Sequence, residues 1–252
     1  MTGYRVAILR KEGYVHSRVF EQVADSLDAS LLDLGWYNSD GRQIVLGANI
    51  VGMFNELLVE IPADAIIFNL EAASSPWLSN PVYLNLLRSH DVIDYDKGNI
   101  QWLRERGVDA RHCPILYHPS MTRLTLREPT IDVLFYGSAT PRRIDILGAV
   151  ESTGLKCKWI DHNYWDERDH WIERAKVVLN IHAYDNAPLE MVRISYLLAN
   201  RACVVSEGEQ VERFKNIIAF SNTTDLPAVC GLWCRDDEAR RMIGESAYQE
   251  FS

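Results

Sequence analysis

Two neighbouring arginines follow a strongly apolar run in the second half of the chain. The run covers 131–136, and Gly137 and Ser138 come directly after it, before Arg142 and Arg143. A glycine permits a tight turn at the end of a buried strand, and a serine or threonine can cap the next helix. The N-terminus of that helix and the two guanidinium groups would attract a diphosphate. The alternative is an ordinary capped helix with solvated arginines.

A second group of polar residues lies at the end of the apolar run 177–181 and in the predicted helix 190–198 that follows it. Within it, a glutamate and an arginine are three positions apart, on one helix face. The carboxylate could accept hydrogen bonds from ribose hydroxyls, and the arginine or a histidine could contact phosphate. The alternative is an i,i+3 ion pair at a helix start. The candidate residues are Asn180, His182, Tyr184, Glu190, Arg193 and Ser195.

Three further candidates follow apolar runs in the first half of the chain. His16 comes after the first run and its loop, Glu71 closes the run 65–70, and Asp94 closes the run 91–94. A histidine and two carboxylates at the strand ends of one sheet could supply a general base. The alternative for each is a solvated loop residue.

The elements that must position these residues alternate between buried strands and amphipathic helices in both halves. Such alternation predicts an α/β fold with parallel sheets covered on both faces, in which ligands bind at the carboxyl ends of the strands. The predicted strands are 4–9, 29–34, 65–70, 91–94 and 111–116, then 131–136, 155–160, 177–181, 202–206 and 217–220, with 43–50 open between a strand and a helix start. The predicted helices are 17–27, 81–88, 99–106, 142–153, 165–175, 190–198 and 236–251.

The segment 117–130 contains two prolines and mixed charges, and it is the predicted connection between two domains. We therefore expect an N-terminal acceptor-side domain at 1–120 and a nucleotide-sugar donor domain at 121–240. A terminal helix at 241–252 could pack back on the first domain.

Composition narrows the function classes. The chain has 252 residues and a net charge of −9, which counts against a broad nucleic-acid-binding face. No apolar run approaches the roughly 20 residues of a membrane span, and the N-terminus does not read as a signal peptide. Five scattered cysteines favour a reducing compartment, and we expect a cytoplasmic protein. Cys230 and Cys234 have no second ligand pair nearby, so we expect buried apolar side chains rather than a zinc site.

Four stretches resemble GT-B glycosyltransferases, in particular the compact group described as glycosyltransferase family 1/CgeB-like. The stretches are 91–107, 132–143, 177–207 and 218–226. Many retaining members carry a Glu-x7-Glu pair, but Ser195 stands where the second glutamate would align, and Asn200 where a glycine is usual. The stereochemical outcome therefore stays open.

The resemblance implies two Rossmann-like domains whose sheets face a cleft. It implies a UDP- or GDP-linked sugar in the second domain, with no cofactor and no required metal, because Arg142 and Arg143 would neutralise the leaving group. The first domain would orient an acceptor hydroxyl, with His16, Glu71 or Asp94 as base. The acceptor could be a glycan, a small molecule or a modified nucleobase in DNA, and the oligomeric state is open. The alternatives are a non-catalytic nucleotide-sugar-binding module, or another nucleotide-dependent α/β enzyme such as an epimerase or dehydrogenase.

Overall fold

Contacts within the chain define two compact units. A computed structural model describes residues 5–8, 23, 42–53, 61–161 and 166–252. Unit 1 comprises Met1–His118 together with Tyr184–Val192, and unit 2 comprises Pro119–Ala183 together with Arg193–Ser252. Each unit contains a five-stranded parallel sheet with helices between the strands, which confirms the predicted α/β class.

Unit 1 contains a sheet whose strands lie in the same order as in the sequence. Every neighbouring pair is parallel. Apolar clusters form around Ile67 and Phe68, whose side chains point to opposite faces of the sheet because they are consecutive in one strand. The strands are β1 (Arg5–Ile8), β2 (Gln43–Leu46), β3 (Ile66–Asn69), β4 (Asp91–Asp94) and β5 (Ala110–His112), and the helices are α1 (Ile50–Met53), α2 (Pro81–Arg88) and α3 (Lys97–Arg104).

Unit 2 contains a sheet with the order β10-β9-β8-β6-β7. The order reverses direction between β6 and β8, and such a reversal in a parallel sheet opens a crevice at the carboxyl ends of the two strands. The strands are β6 (Ile131–Tyr136), β7 (Cys157–Ile160), β8 (Ala175–Asn180), β9 (Val204–Glu207) and β10 (Ala219–Ser221). The helices are α4 (Pro141–Glu151), α5 (Asp166–Ile172), α6 (Met191–Ala199), α7 (Leu226–Arg235) and α8 (Asp237–Phe251).

Most predicted elements are present with shifted ends. The segment 43–50, which the sequence leaves open between a strand and a helix start, contains both. Strand β2 ends at Leu46, and helix α1 begins at Ile50. Helix α3 begins two residues before the predicted position, because the Asp96 carboxylate caps it by accepting the Asn99 N–H at 2.8 Å. The predicted helix 17–27 (apart from Val23) and the predicted strand 29–34 lie outside the described residues.

The two units divide the chain differently from the predicted domain limits. Residues 184–192 belong to unit 1, where Met191 and Val192 pack against the cluster that contains Phe68. Residues 241–252 belong to unit 2, where they complete helix α8. Within unit 2, α8 lies against the turn after α6, since Arg201 pairs with Glu245 at 2.8 Å and its guanidinium lies 3.5 Å from the ring centre of Tyr248.

Gly244 of α8 lies in close contact with that turn. A Cβ at this position would lie 2.2 Å from the carbonyl oxygen of Arg201, which is backbone and cannot rotate away. We expect Gly244→Ala to lower the free energy of unfolding by about 1–3 kcal/mol, although alanine is the better helix former. Gly148→Ala in α4 is the matched control, because nothing lies within 4 Å of its Cβ position. Thermal unfolding measures the stability of both variants. Equal stabilisation of Gly244→Ala and Gly148→Ala would contradict the expectation.

Candidate functional site

Gly137 lies at the carboxyl end of β6, at the point where the strand order reverses. Its φ is +148°, a conformation that favours glycine. A Cβ there would lie 2.9 Å from Nη2 of Arg193, so the glycine also makes room for that guanidinium. The sequence motif that follows has the predicted cap, since the Thr140 hydroxyl accepts the Arg143 N–H at 3.3 Å at the start of α4.

Arg143 is buried and holds the two loops of the crevice together. Its Nε and Nη2 donate to the carbonyl of Ile181 at 3.1 and 2.8 Å, and its Nη1 donates to the carbonyl of Ser138 at 3.2 Å. The guanidinium also lies 5.2 Å from the centre of the Phe135 ring. Arg143 therefore fixes the backbone at the ends of β6 and β8, and Ser138 contributes its carbonyl to that arrangement.

Arg142 pairs with a carboxylate that the sequence analysis did not single out. Both of its terminal nitrogens donate to Glu207, the last residue of β9, which is 6% exposed. Arg142 also donates to the carbonyl of His182 at 3.2 Å, and Glu207 accepts the His182 N–H at 3.0 Å. The His182 side chain is buried, with Nε2 3.2 Å from the Cβ position of Gly208. The three residues together connect the ends of α4, β8 and β9.

Arg142→Ala should destabilise the protein because it leaves the buried Glu207 carboxylate without its guanidinium. We expect a loss of about 1–3 kcal/mol in the free energy of unfolding. The double variant Arg142→Ala/Glu207→Gln should recover part of that loss, because the buried charge is gone. Thermal unfolding of the two variants measures the difference, and equal losses would contradict a paired role for Arg142.

Arg193, at the start of α6, contacts a neutral amide oxygen and two aromatic rings. Its Nη1 donates to Oδ1 of Asn180 at 2.6 Å, and its guanidinium lies 5.6 and 5.2 Å from the ring centres of Phe135 and Tyr136. The Asn180 amide also donates to the Ser206 hydroxyl at 3.0 Å. Across 61–161 and 166–252, Arg193 Nε is buried without a hydrogen-bond partner, and no carboxylate pairs with Arg193.

A further arginine of unit 2, Arg168, lies in α5. Arg168 is buried beside Asp169, with an Nη2–Oδ1 distance of 2.7 Å, and lies 4.3 Å from the centre of the Tyr196 ring. Arg142 and Arg168 therefore have carboxylate partners, whereas across 61–161 and 166–252 Arg193 contacts the Asn180 amide oxygen and two aromatic rings. An arrangement of this kind favours an anion.

Of the other predicted nucleotide-site residues, one is buried within unit 2 and two are assigned to unit 1. Ser195 is buried inside α6. Tyr184 and Glu190 belong to unit 1. Burial raises the pKa of Tyr95, and the nearby carboxylates of Asp94 and Glu190 raise it further. Glu190 thus lies among the acidic residues of unit 1.

Asp94 is enclosed at the carboxyl end of β4. Its side chain is 0% exposed and accepts hydrogen bonds from the Asn69 amide at 2.6 Å, the Asp96 N–H at 2.8 Å and the Asn99 amide at 3.3 Å. Burial raises the pKa of Asp94 to about 7, and these hydrogen bonds oppose that rise. The carboxylate therefore links β3, β4 and the start of α3.

Glu71 follows β3 and is only half-buried. The Asn49 amide donates to its Oε1 at 2.6 Å, and the Ser75 hydroxyl also donates to its carboxylate. Burial raises the pKa of Glu71, and both hydrogen bonds oppose the rise because they favour the charged form. Of the two residues, Asp94 is fully enclosed and Glu71 is partly exposed. His16 lies outside the described residues.

The described residues contain no group of three or more histidine, cysteine, aspartate or glutamate side chains able to hold a metal ion. In the same part of the chain, none of the helices has both the length and the apolar character to cross a bilayer. Cys230 and Cys234 are buried in the unit 2 core, as predicted.

No protein-family model matches the chain. It is similar to two uncharacterized proteins of Acanthamoeba polyphaga mimivirus, at 30% identity over 135 residues and 31% over 131 residues. Each match covers 51% of this chain, and the chain spans only 43% and 45% of the two relatives.

The fold is shared with solved glycosyltransferases of the GT-B class at low sequence identity. AviGT4, a glycosyltransferase involved in avilamycin A biosynthesis, matches with a TM-score of 0.53 at 14% identity, over 98% of this chain and 96% of its own. The T4 phage enzyme BGT, solved with its UDP-glucose substrate, matches with a TM-score of 0.56 at 13% identity, over 98% and 92%. TarM matches with a TM-score of 0.56 at 11% identity, over 84% and 51%. These likenesses confirm the predicted fold class.

Proposed function

We propose that this chain is a glycosyltransferase that moves a sugar from a UDP- or GDP-linked donor to an acceptor hydroxyl. The observation that carries the proposal is the Arg193 guanidinium, which is half-buried, has no carboxylate partner among the described residues and lies at the strand-order reversal of unit 2. That reversal is where parallel sheets bind nucleotides. The shared fold adds support, since T4 phage BGT was solved with UDP-glucose.

On the donor side, the diphosphate would lie at the carboxyl ends of β6 and β8. Arg193 would donate to it, the N-terminus of α4 would add backbone N–H groups, and Arg143 would hold the two loops in place. When the bond between the sugar carbon and the phosphate oxygen breaks, the electron pair goes to the nucleoside diphosphate. Guanidinium groups stabilise the charge that develops there, and we therefore propose a reaction that needs no metal.

On the acceptor side, Glu71 would act as the general base. It would take the proton of the acceptor hydroxyl while the hydroxyl oxygen forms its bond to the sugar carbon. Glu71 suits this role better than Asp94, because a base must contact its substrate and Asp94 is fully enclosed. We also propose, on the four resembling stretches, that the chain falls within the compact CgeB-like group. We propose a cytoplasmic location for the protein, because its described cysteines are free thiols.

The experiment that tests the function is nucleotide release from a panel of UDP- and GDP-sugars, with and without acceptors and with and without EDTA. We expect release from at least one donor, accelerated by an acceptor and unchanged by EDTA. Ser195, at the position of the family's second glutamate, favours the second candidate, a binding module without turnover. Tight binding of a UDP-sugar without release would support that candidate, and no binding of any nucleotide would contradict both.

A further inference from the structure

The loop between β3 and α2 is held rigidly at several points along its length. At its start, Asn99 donates to the Glu71 carbonyl at 2.9 Å and accepts the Ala73 N–H at 2.8 Å. At its end, the Asn80 amide donates to the carbonyl of Gly52 at 2.7 Å. The segment 47–53, which comprises the loop after β2 and helix α1, is therefore fixed to it twice, through Asn80 and through the 2.6 Å contact of Asn49 with Glu71.

This fixed loop carries a partly exposed tryptophan, Trp77, six residues after the candidate base. Trp77 is 36% exposed, on a loop whose other large apolar side chain, Leu78, is fully buried. The Ser75 hydroxyl donates to the Glu71 carboxylate and accepts the Trp77 N–H at 3.1 Å, so the backbone of Trp77 is two hydrogen bonds from Glu71. A loop that is fixed by hydrogen bonds and carries both a partly exposed tryptophan and a carboxylate has the composition of a binding site.

The charge of this region indicates which ligand it would bind. The loop 71–80 contains no lysine and no arginine, and its one charged residue is Glu71. A site for DNA needs cations to neutralise phosphates. A neutral sugar needs none, because its hydroxyl groups donate to carboxylate and amide oxygens and its C–H face packs on an aromatic ring.

We propose, on the basis of the proposed glycosyltransferase function, that the acceptor is a neutral saccharide. Its ring packs on the Trp77 indole, and its attacking hydroxyl donates to Glu71. The loop 71–80 is thus the acceptor subsite, and the absence of cations from this loop favours a saccharide over a nucleobase in DNA.

The test uses the full chain labelled with ¹⁵N in its tryptophan indoles. The Trp77 signal is assigned by its loss in Trp77→Phe. Methyl glucosides, maltose, cellobiose and chitotriose are titrated to millimolar concentrations, and a short DNA duplex is titrated separately. We expect at least one saccharide to shift the Trp77 signal saturably, and Trp77→Ala to weaken that saccharide by about 5- to 10-fold. Trp102 is the internal control, because Arg106 covers its ring at 3.7 Å.

Saccharides that leave the Trp77 signal in place, or that shift Trp102 equally, would overturn the proposal. A shift of Trp77 by DNA alone would overturn it in favour of a nucleic-acid acceptor. UDP binding is measured by calorimetry on the same samples. UDP binding without a saccharide response refutes only the acceptor subsite, whereas a protein that binds no nucleotide refutes the glycosyltransferase function.

Discussion

Arg193→Ala should weaken UDP binding by about 10- to 100-fold, which corresponds to the loss of charge-assisted hydrogen bonds of about 1.5–3 kcal/mol. The reason is that Arg193 is held over two aromatic rings and bonded to Asn180 without a carboxylate partner across the described parts of unit 2. Its charge is therefore available to a diphosphate. Titration calorimetry with UDP measures the change.

Two variants control this experiment. Arg213→Ala removes an exposed guanidinium from the same unit, and we expect unchanged affinity. Arg193→Lys keeps the charge but loses the planar fork, and we expect an intermediate affinity. If Arg193→Ala bound UDP as tightly as the unaltered protein, the diphosphate would have to lie elsewhere.

Glu71→Gln should lower kcat by about 10²- to 10⁴-fold, because glutamine cannot take the proton of the attacking hydroxyl. The expected readout is the rate of acceptor-dependent nucleotide release, with UDP affinity unchanged. Asp64→Asn is the control, because Asp64 is an exposed carboxylate of the same unit. An equal loss in both variants would show that the effect is not specific to Glu71.

The pH dependence of kcat provides a second test of Glu71. A base acts in its charged form, so activity should fall as the pH drops through a pKa that burial has raised above that of a free glutamate. Asn49→Ala removes a hydrogen bond to the charged carboxylate, and the acid limb should therefore move to higher pH. A limb that stays in place would exclude Asn49 as the residue that positions Glu71.

Most of the fold could be predicted from the sequence, because the buried strands are runs of valine, isoleucine and leucine. Helix α7 was missed. Its buried side chains, Leu226, Cys230 and Cys234, have helical spacing, but Pro227 and Gly231 lower the helical propensity of the segment. The long-range packing of α7 on the unit 2 core outweighs that local preference.

The site could be predicted only in part. Gly137 and the arginines after it were found because they follow a strand directly. The partners of these residues could not be predicted. A contact such as that of Arg142 with Glu207 joins positions 65 residues apart, and it therefore leaves no local pattern in the sequence. For the same reason the sequence does not reveal that Asn49 is paired with Glu71, and Asp94 and Glu71 look equivalent until their burial is compared.

The inclusion of 184–192 in unit 1 has a consequence for any attempt to produce the units separately. A fragment that stopped at residue 118 would lack Met191 and Val192, and part of the apolar surface around Phe68 would then meet water. Such a truncated polypeptide should aggregate or expose dye-binding surface. Grafting 184–192 through a flexible tether should restore its solubility.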